Sequence, residues 1–231
     1  MKYKRSWFPI GEKRASKVLN GVIPALRRSV EGERLPSVTE ISMKSRSPFR
    51  VLVSTVISAR TKDEVTRVAS ERLFARARTP ASLARLAEEE IAELIYPAGF
   101  YRTKAKNIRA LAKKLVEDFN GKVPRTIEEL TTLPGVGRKT ANLVLTLGFG
   151  DYGICVDTHV HRIVNRIGAV NTSTPEQTEY ALRRVLSKEH WIEFNDLLVT
   201  FGKKVCTPVS PYCSRCPIEE SCLKVDVKRN R

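Results

Sequence analysis

The chain has 231 residues, 42% of them hydrophobic and 29% charged, which suits one large or two small globular domains with a proper core. Its 41 Lys and Arg against 25 Asp and Glu leave a formal charge of +16. That excess favours a polyanionic partner through counterion release, although an inert basic surface would carry the same charge. The longest apolar run, around Val51–Ala59, is broken by Ser54, Thr55 and Ser58, and no membrane is expected as a partner.

The basic beginning, MKYKRSWFPIGEKR, has no apolar core behind it and is not expected to be a secretory signal. Ser47-Pro48 then sets an N-cap hydroxyl before a first-turn proline, and Val51, Val53, Val56 and Ile57 follow at helical spacing. Thr79-Pro80 repeats the signal ahead of Leu83, Leu86, Ile91 and Leu94. After a loop at Ala98–Thr103 comes a helix marked by Ile108, Leu111 and Leu115. Lys104, Lys106 and Arg109 on it are read as an extension of a basic surface, though a solvated helix face would look the same. Thr126 with Glu129 reads as a capping box opening a helix over Ile127–Leu133, and a second helix is expected over Arg138–Leu147. Loops are also expected at Gly32–Val38, Asn120–Arg125 and Ala169–Thr174, and the glycine-rich Gly148–Gly153 is the expected domain junction. Thr174-Pro175 starts a further helix. Sustained strand-like alternation is hard to find and convincing hairpin turns between β-rich runs are missing, so the fold class is all-α with about ten helices.

Between two of these helices stands Leu133-Pro134-Gly135-Val136-Gly137-Arg138-Lys139-Thr140-Ala141. Gly135 and Gly137 allow a tight turn whose backbone approaches another molecule, with the N–H groups of the following helix pointing outward. Such a helix–hairpin–helix, with Arg138 behind it, grips DNA phosphate without reading sequence; a plain helical corner is the alternative. Lys139 has two readings of equal standing on the residues alone, a phosphate contact or an amine nucleophile forming a Schiff base at a sugar carbon. Eighteen residues on, Asp157 opens VDTHVHR and reads as a helix N-cap. A carboxylate near Lys139 would raise that lysine's pKa, so a better catalytic role is to stabilise positive charge developing on the sugar.

Cys206, Cys213, Cys216 and Cys222 follow the spacing C-x6-C-x2-C-x5-C, a compact all-thiolate set suited to a metal site in a reducing cell. Only one C-x2-C knuckle is present, yet spacing alone leaves zinc open beside an iron–sulfur centre. Cys155, between Ile154 and Val156, reads as a buried apolar residue.

The strings LPGVGRKTAN and VDTHVHR, with the cysteine spacing, resemble the endonuclease III branch of the helix–hairpin–helix glycosylase superfamily, including its archaeal and eukaryotic members, from about Ser47 to Cys222. The resemblance implies two α-helical domains with a DNA-binding cleft between them: a helical barrel at 41–151, and a cluster domain from 1–40 and 152–231. It implies Lys139 as nucleophile and lyase residue, Asp157 as catalytic, and a 4Fe–4S cluster on the four cysteines. The expected partner is double-stranded DNA with damaged bases or abasic sites, bound by an intracellular monomer, in the cytoplasm or nucleoid if the source is prokaryotic.

Two departures stand out. The segment between the first two cluster cysteines, Thr207–Tyr212, carries no charge where bacterial family members carry basic residues, and Lys203, Lys204 or Arg215 are the candidate substitutes. In Ser58–Asp63, Arg60 stands where the family places a gap-filling glutamine. Arg60 and Phe100 are therefore candidate wedges for a flipped nucleotide, with a phosphate contact and core packing as their respective alternatives. The function expected is excision of oxidised pyrimidines and strand cleavage by β-elimination. A mismatch glycosylase acting on thymine or adenine is disfavoured by Lys139 and by the nine residues after Cys222. A non-catalytic DNA-structure binder is disfavoured by the Lys139 and Asp157 motifs.

Overall fold

The computed structural model describes residues 7–231; residues 1–6, in the basic beginning read as no secretory signal, lie outside them. Every regular element among the described residues is helical, in agreement with the all-α reading. α1 (Glu12–Ser29) is followed by α2 (Ser37–Ser45), α3 (Pro48–Ser58), α4 (Asp63–Arg76), α5 (Pro80–Ala84) and α6 (Glu88–Ile95). Then come α7 (Tyr101–Phe119), α8 (Ile127–Leu130) and α9 (Arg138–Leu143), which runs into a π-helical turn at Val144–Gly148. α10 (Thr158–Ile167), α11 (Pro175–Val185) and α12 (Trp191–Lys204) complete the α-helices of the described residues. Twelve rather than ten arise because pieces such as α5 and α8 are too short to show a period.

The cap residues behave largely as their chemistry dictates. Ser47, Thr79, Thr126 and Thr174 accept from the backbone N–H groups of Arg50, Ser82, Glu129 and Gln177. Glu129 does not complete the expected capping box: its carboxylate takes the Thr126 hydroxyl at 2.7 Å instead of the backbone N–H. α8 also stops at Leu130 rather than Leu133. Thr131 and Thr132 turn their hydroxyls onto the carbonyls of Glu128 and Glu129, and Pro134 disfavours helix at the residue before it.

The chain forms two compact units, divided after Arg34 and after Gly153. In the unit Leu35–Gly153, α3 is the internal helix, with Phe49 and Val51–Ile57 buried, and the buried Thr55 hydroxyl is satisfied by donating to Val51 O at 2.7 Å. Leu52, Leu73, Ile91, Ile108 and Leu115 are each fully buried in the same core, where trimming one to alanine costs roughly 2–5 kcal/mol.

The other unit joins the described residues up to Arg34 with Ile154–Arg231. Leu19, Ile23 and Leu26 of α1 share a core with Ile163, Leu182, Phe194 and Phe201. Asn20 ties α1 to the end of α11, donating to Val185 O and accepting from Ser187 N, both at 3.0 Å. No helix among the described residues is long and apolar enough to cross a membrane.

Candidate functional site

The hairpin needs glycine twice over at position 135. Its φ is +78°, and a Cβ there would meet the Asn107 side chain of α7 at 3.1–3.2 Å. Gly137 takes extended backbone at the N-cap of α9 and brings no side-chain cap of its own. Arg138 is half-buried in that first turn and Lys139 is exposed beside it. The long helix expected behind them is broken into α9 and the π turn, where the Thr146 hydroxyl donates to Asn142 O at 3.0 Å.

Asp157, in the other unit, caps α10: one carboxylate oxygen accepts from His159 N at 2.8 Å and Val160 N at 2.9 Å. Those bonds fix the carboxylate plane. His161 pairs with Thr178 at 2.7 Å and is pushed toward its neutral form by burial, while His159 meets Arg162 at 3.2 Å. Both histidines are engaged in packing their own unit. Cys155 is buried, its carbonyl accepting from Asn195, as the apolar reading expects.

Arg60 and Phe100 come together across 40 residues of sequence. Both are exposed, both are left-handed (φ 53° and 57°), and the guanidinium carbon lies 5.6 Å from the ring centroid. Phe100 is 63% exposed, which excludes the core-packing alternative. Non-glycine residues in this region cost strain that the surroundings must hold.

The Lys104 expectation is corrected: it does not extend a basic surface. The residue is 6% exposed, and its ammonium donates to Ile57 O (2.6 Å), Ala59 O (2.5 Å) and Thr61 Oγ1 (2.7 Å). Burial lowers its pKa from 10.5 to about 8. A lysine at a polar position of a helical pattern gives no hint of this, because its acceptors lie more than 40 residues earlier.

Cys206, Cys213, Cys216 and Cys222 line a single cavity walled by Ile163, Ile167 and Phe201. None is in a disulfide. Among the described residues no three His, Cys, Asp or Glu side chains are grouped as ligands of a metal ion; what the four thiols share is the cavity. Burial pushes Cys216 up to about 11 and raises Cys213 and Cys222, with the other thiols of the set adding to the rise. Such thiols ionise together only around compensating positive charge, and an all-sulfur set suits an iron–sulfur cluster or zinc. N–H donors already address the sulfurs, from Arg166 to Cys206 at 3.5 Å and from Lys224 N to Cys222 at 3.4 Å.

Sequence reasoning missed how the loop after Cys206 is held. Arg162 donates to Cys206 O at 2.9 Å, and Arg166 to Thr207 O at 2.7 Å and to Pro208 O. Two arginines on the inner face of α10 were the available signal, since buried guanidinium requires acceptors. Of the candidate substitutes for the uncharged loop, Lys204 pairs with Glu33 at 2.7 Å. Arg215 instead stacks on Tyr212 at 4.0 Å, and Arg231, not foreseen, covers the same ring at 3.8 Å.

The family model described as HhH-GPD superfamily base excision DNA repair protein matches residues 53–188. Endonuclease III of Thermotoga maritima is 49% identical over 179 residues, covering 78% of this chain and 84% of that protein. The chloroplastic endonuclease III homolog 2 of Arabidopsis thaliana is 48% identical over 183 residues, and there the chain spans only 47% of the relative. Among solved structures, a trapped endonuclease III–DNA covalent intermediate superposes with a TM-score of 0.80 at 33% identity, covering 90% of this chain and 96% of that one. A thermostable thymine-DNA glycosylase shares the fold, with a TM-score of 0.79 at 24% identity and coverage of 91% and 96%.

Proposed function

Because the chain belongs to the endonuclease III family, within the HhH-GPD superfamily of base excision DNA repair proteins, we propose that it is a DNA glycosylase and AP lyase excising oxidised pyrimidines through Lys139. The observation that carries this reading is the exposed Lys139 in the first turn of α9, directly behind the Gly135–Gly137 turn. Backbone N–H groups and Arg138 would hold phosphate on either side of the damaged nucleotide while the lysine reaches its sugar.

In the proposed reaction the neutral Lys139 amine attacks C1′ of a flipped nucleotide, the C1′–N bond breaks, and the base leaves with its electron pair and takes a proton. Ring opening gives a Schiff base to C1′. Loss of a C2′ proton then expels the 3′ phosphate, and water releases the lysine. Asp157 would stabilise positive charge on the sugar; its two accepted backbone bonds keep the carboxylate oriented. Arg60 and Phe100 would fill the gap a flipped nucleotide leaves, supported by their shared exposure and stacking.

The four cysteines would hold a 4Fe–4S cluster, which supplies structural cross-linking of the loop between Cys206 and Cys222. Damaged or abasic duplex DNA, bound by a monomer inside the cell, completes the reading.

Borohydride trapping on duplex DNA with one oxidised pyrimidine tests it. Wild type should give a covalent adduct and Lys139→Gln none. Absence of an adduct from wild type, with binding intact, would move the assignment to a monofunctional glycosylase or a structural binder.

A further inference from the structure

The geometry points to Lys104 as a positioning residue that clamps the turn bearing Arg60 against the turn bearing Phe100, so that the two enter DNA as one preassembled wedge; this rests on the wedge reading above. Lys104 sits in the first turn of α7, four residues after Phe100, and its backbone N–H bonds Phe100 O at 3.0 Å. Its side chain runs inward to the end of α3, where three acceptors from residues 57, 59 and 61 surround the ammonium. Two of the three bracket Arg60.

Two further contacts tighten the same junction. Thr61 Oγ1 accepts from Gly99 N at 3.1 Å as well as from Lys104, so one hydroxyl ties both turns. Gly99 leaves just enough room, since a Cβ there would stand 2.4 Å from Arg60 O. Arg60 and Phe100, each left-handed, are thus held where the two turns meet.

A buried ammonium is an expensive way to fasten two loops, and burial does oppose its charge. It has one advantage over an apolar plug: three N–H donors reach three acceptors in fixed directions, which specifies a conformation rather than merely filling space. A wedge must push into a paired stack, so it profits from paying its ordering entropy before contact.

The test compares single-turnover excision of one oxidised pyrimidine in a fully paired duplex with excision of the same lesion inside a small bubble, where unstacking is already done. Lys104→Met should lose on the order of tenfold on the paired duplex and little on the bubble, about the effect of one mispositioned contact. Thr61→Val should do the same more weakly, and carries the test if Lys104→Met does not fold. Arg60→Ala and Phe100→Ala should each lose paired-duplex activity, and adding Lys104→Met to Arg60→Ala should cost less than the sum of the two.

Equal losses on both substrates would mean that Lys104 merely supports the fold, and would overturn the inference. So would full paired-duplex activity in a folded Lys104→Met protein while the Arg60 and Phe100 variants fail. Full activity in the Arg60 and Phe100 variants would instead remove the wedge reading on which the clamp depends.

Discussion

The Cα of Gly99 faces the carbonyl of Arg60 so closely that a Cβ would approach its oxygen to 2.4 Å. Real Cβ atoms do not tolerate that distance, and the obstacle is backbone rather than a movable side chain. Gly99→Ala should therefore force the two turns apart, lowering stability by about 1–3 kcal/mol as overpacking does. Urea denaturation measures that cost. An alanine variant as stable as wild type would show that the junction is loose enough to yield.

Lys104 gives a pH signature with a defined sign. Its pKa falls from 10.5 to about 8 in the folded chain. Between those values the unfolded chain still holds the proton that the folded one has released, so the unfolded state binds more protons and stability rises with pH. Below about pH 8 the burial penalty is fully present. The stability of wild type relative to Lys104→Met should climb from pH 8 to 10.5, by no more than about 3 kcal/mol. Chemical denaturation at three pH values across that window checks it; a flat difference would mean that Lys104 keeps an ordinary pKa.

Asp157→Asn separates the two roles of that carboxylate. Asparagine caps a helix as well as aspartate, so stability should change by only about a few tenths of a kcal/mol. Base excision should fall at least about a hundredfold if the charge stabilises the transition state. Activity that survived with an intact fold would confine Asp157 to capping α10.

Cys222→Ser removes one thiol from the shared cavity. Purified variant protein should carry less iron, show lower DNA affinity, and melt earlier in calorimetry. Full iron content with three cysteines would contradict the four-thiol assignment.

Salt dependence distinguishes two of the candidate substitutes for the uncharged loop, Lys204 and Arg215, and Arg231, which the structure adds beside them. Lys204 is already paired with Glu33, so Lys204→Ala should leave the slope of log affinity against log salt nearly unchanged. Arg215→Ala and Arg231→Ala should each flatten it by roughly one unit if each guanidinium neutralises a phosphate. Titration at four salt concentrations decides between them.

Much of this was legible in the sequence because it was local. The Ser47, Thr79 and Thr174 caps need only three or four neighbouring residues to work, and the glycine hairpin and cysteine spacing are equally short-range. Two of the illegible features depend on distant partners. Lys104 reads as surface until the turn at residues 57–61 arrives beneath it. The contribution of Arg231 depends on its backbone folding back to pair with Pro211 and Ser214. The π turn at Val144–Gly148 follows an ordinary helical pattern and gives no local sign of its extra-wide bonds.

The unit that takes α1 from before residue 35 and α10–α12 from after residue 153 also dictates an order of events during synthesis. Leu35–Gly153 is continuous and can fold as soon as it leaves the ribosome, whereas α1 emerges well ahead of the helices it packs against. Its partner helices α11 and α12 arrive only after some 150 further residues, roughly 8–30 s at ordinary translation speeds. Through that interval Leu19, Ile23 and Leu26 lack the partners that bury them in the folded unit. Transiently exposed apolar surface of this kind is aggregation-prone, so slower synthesis lengthens the exposure.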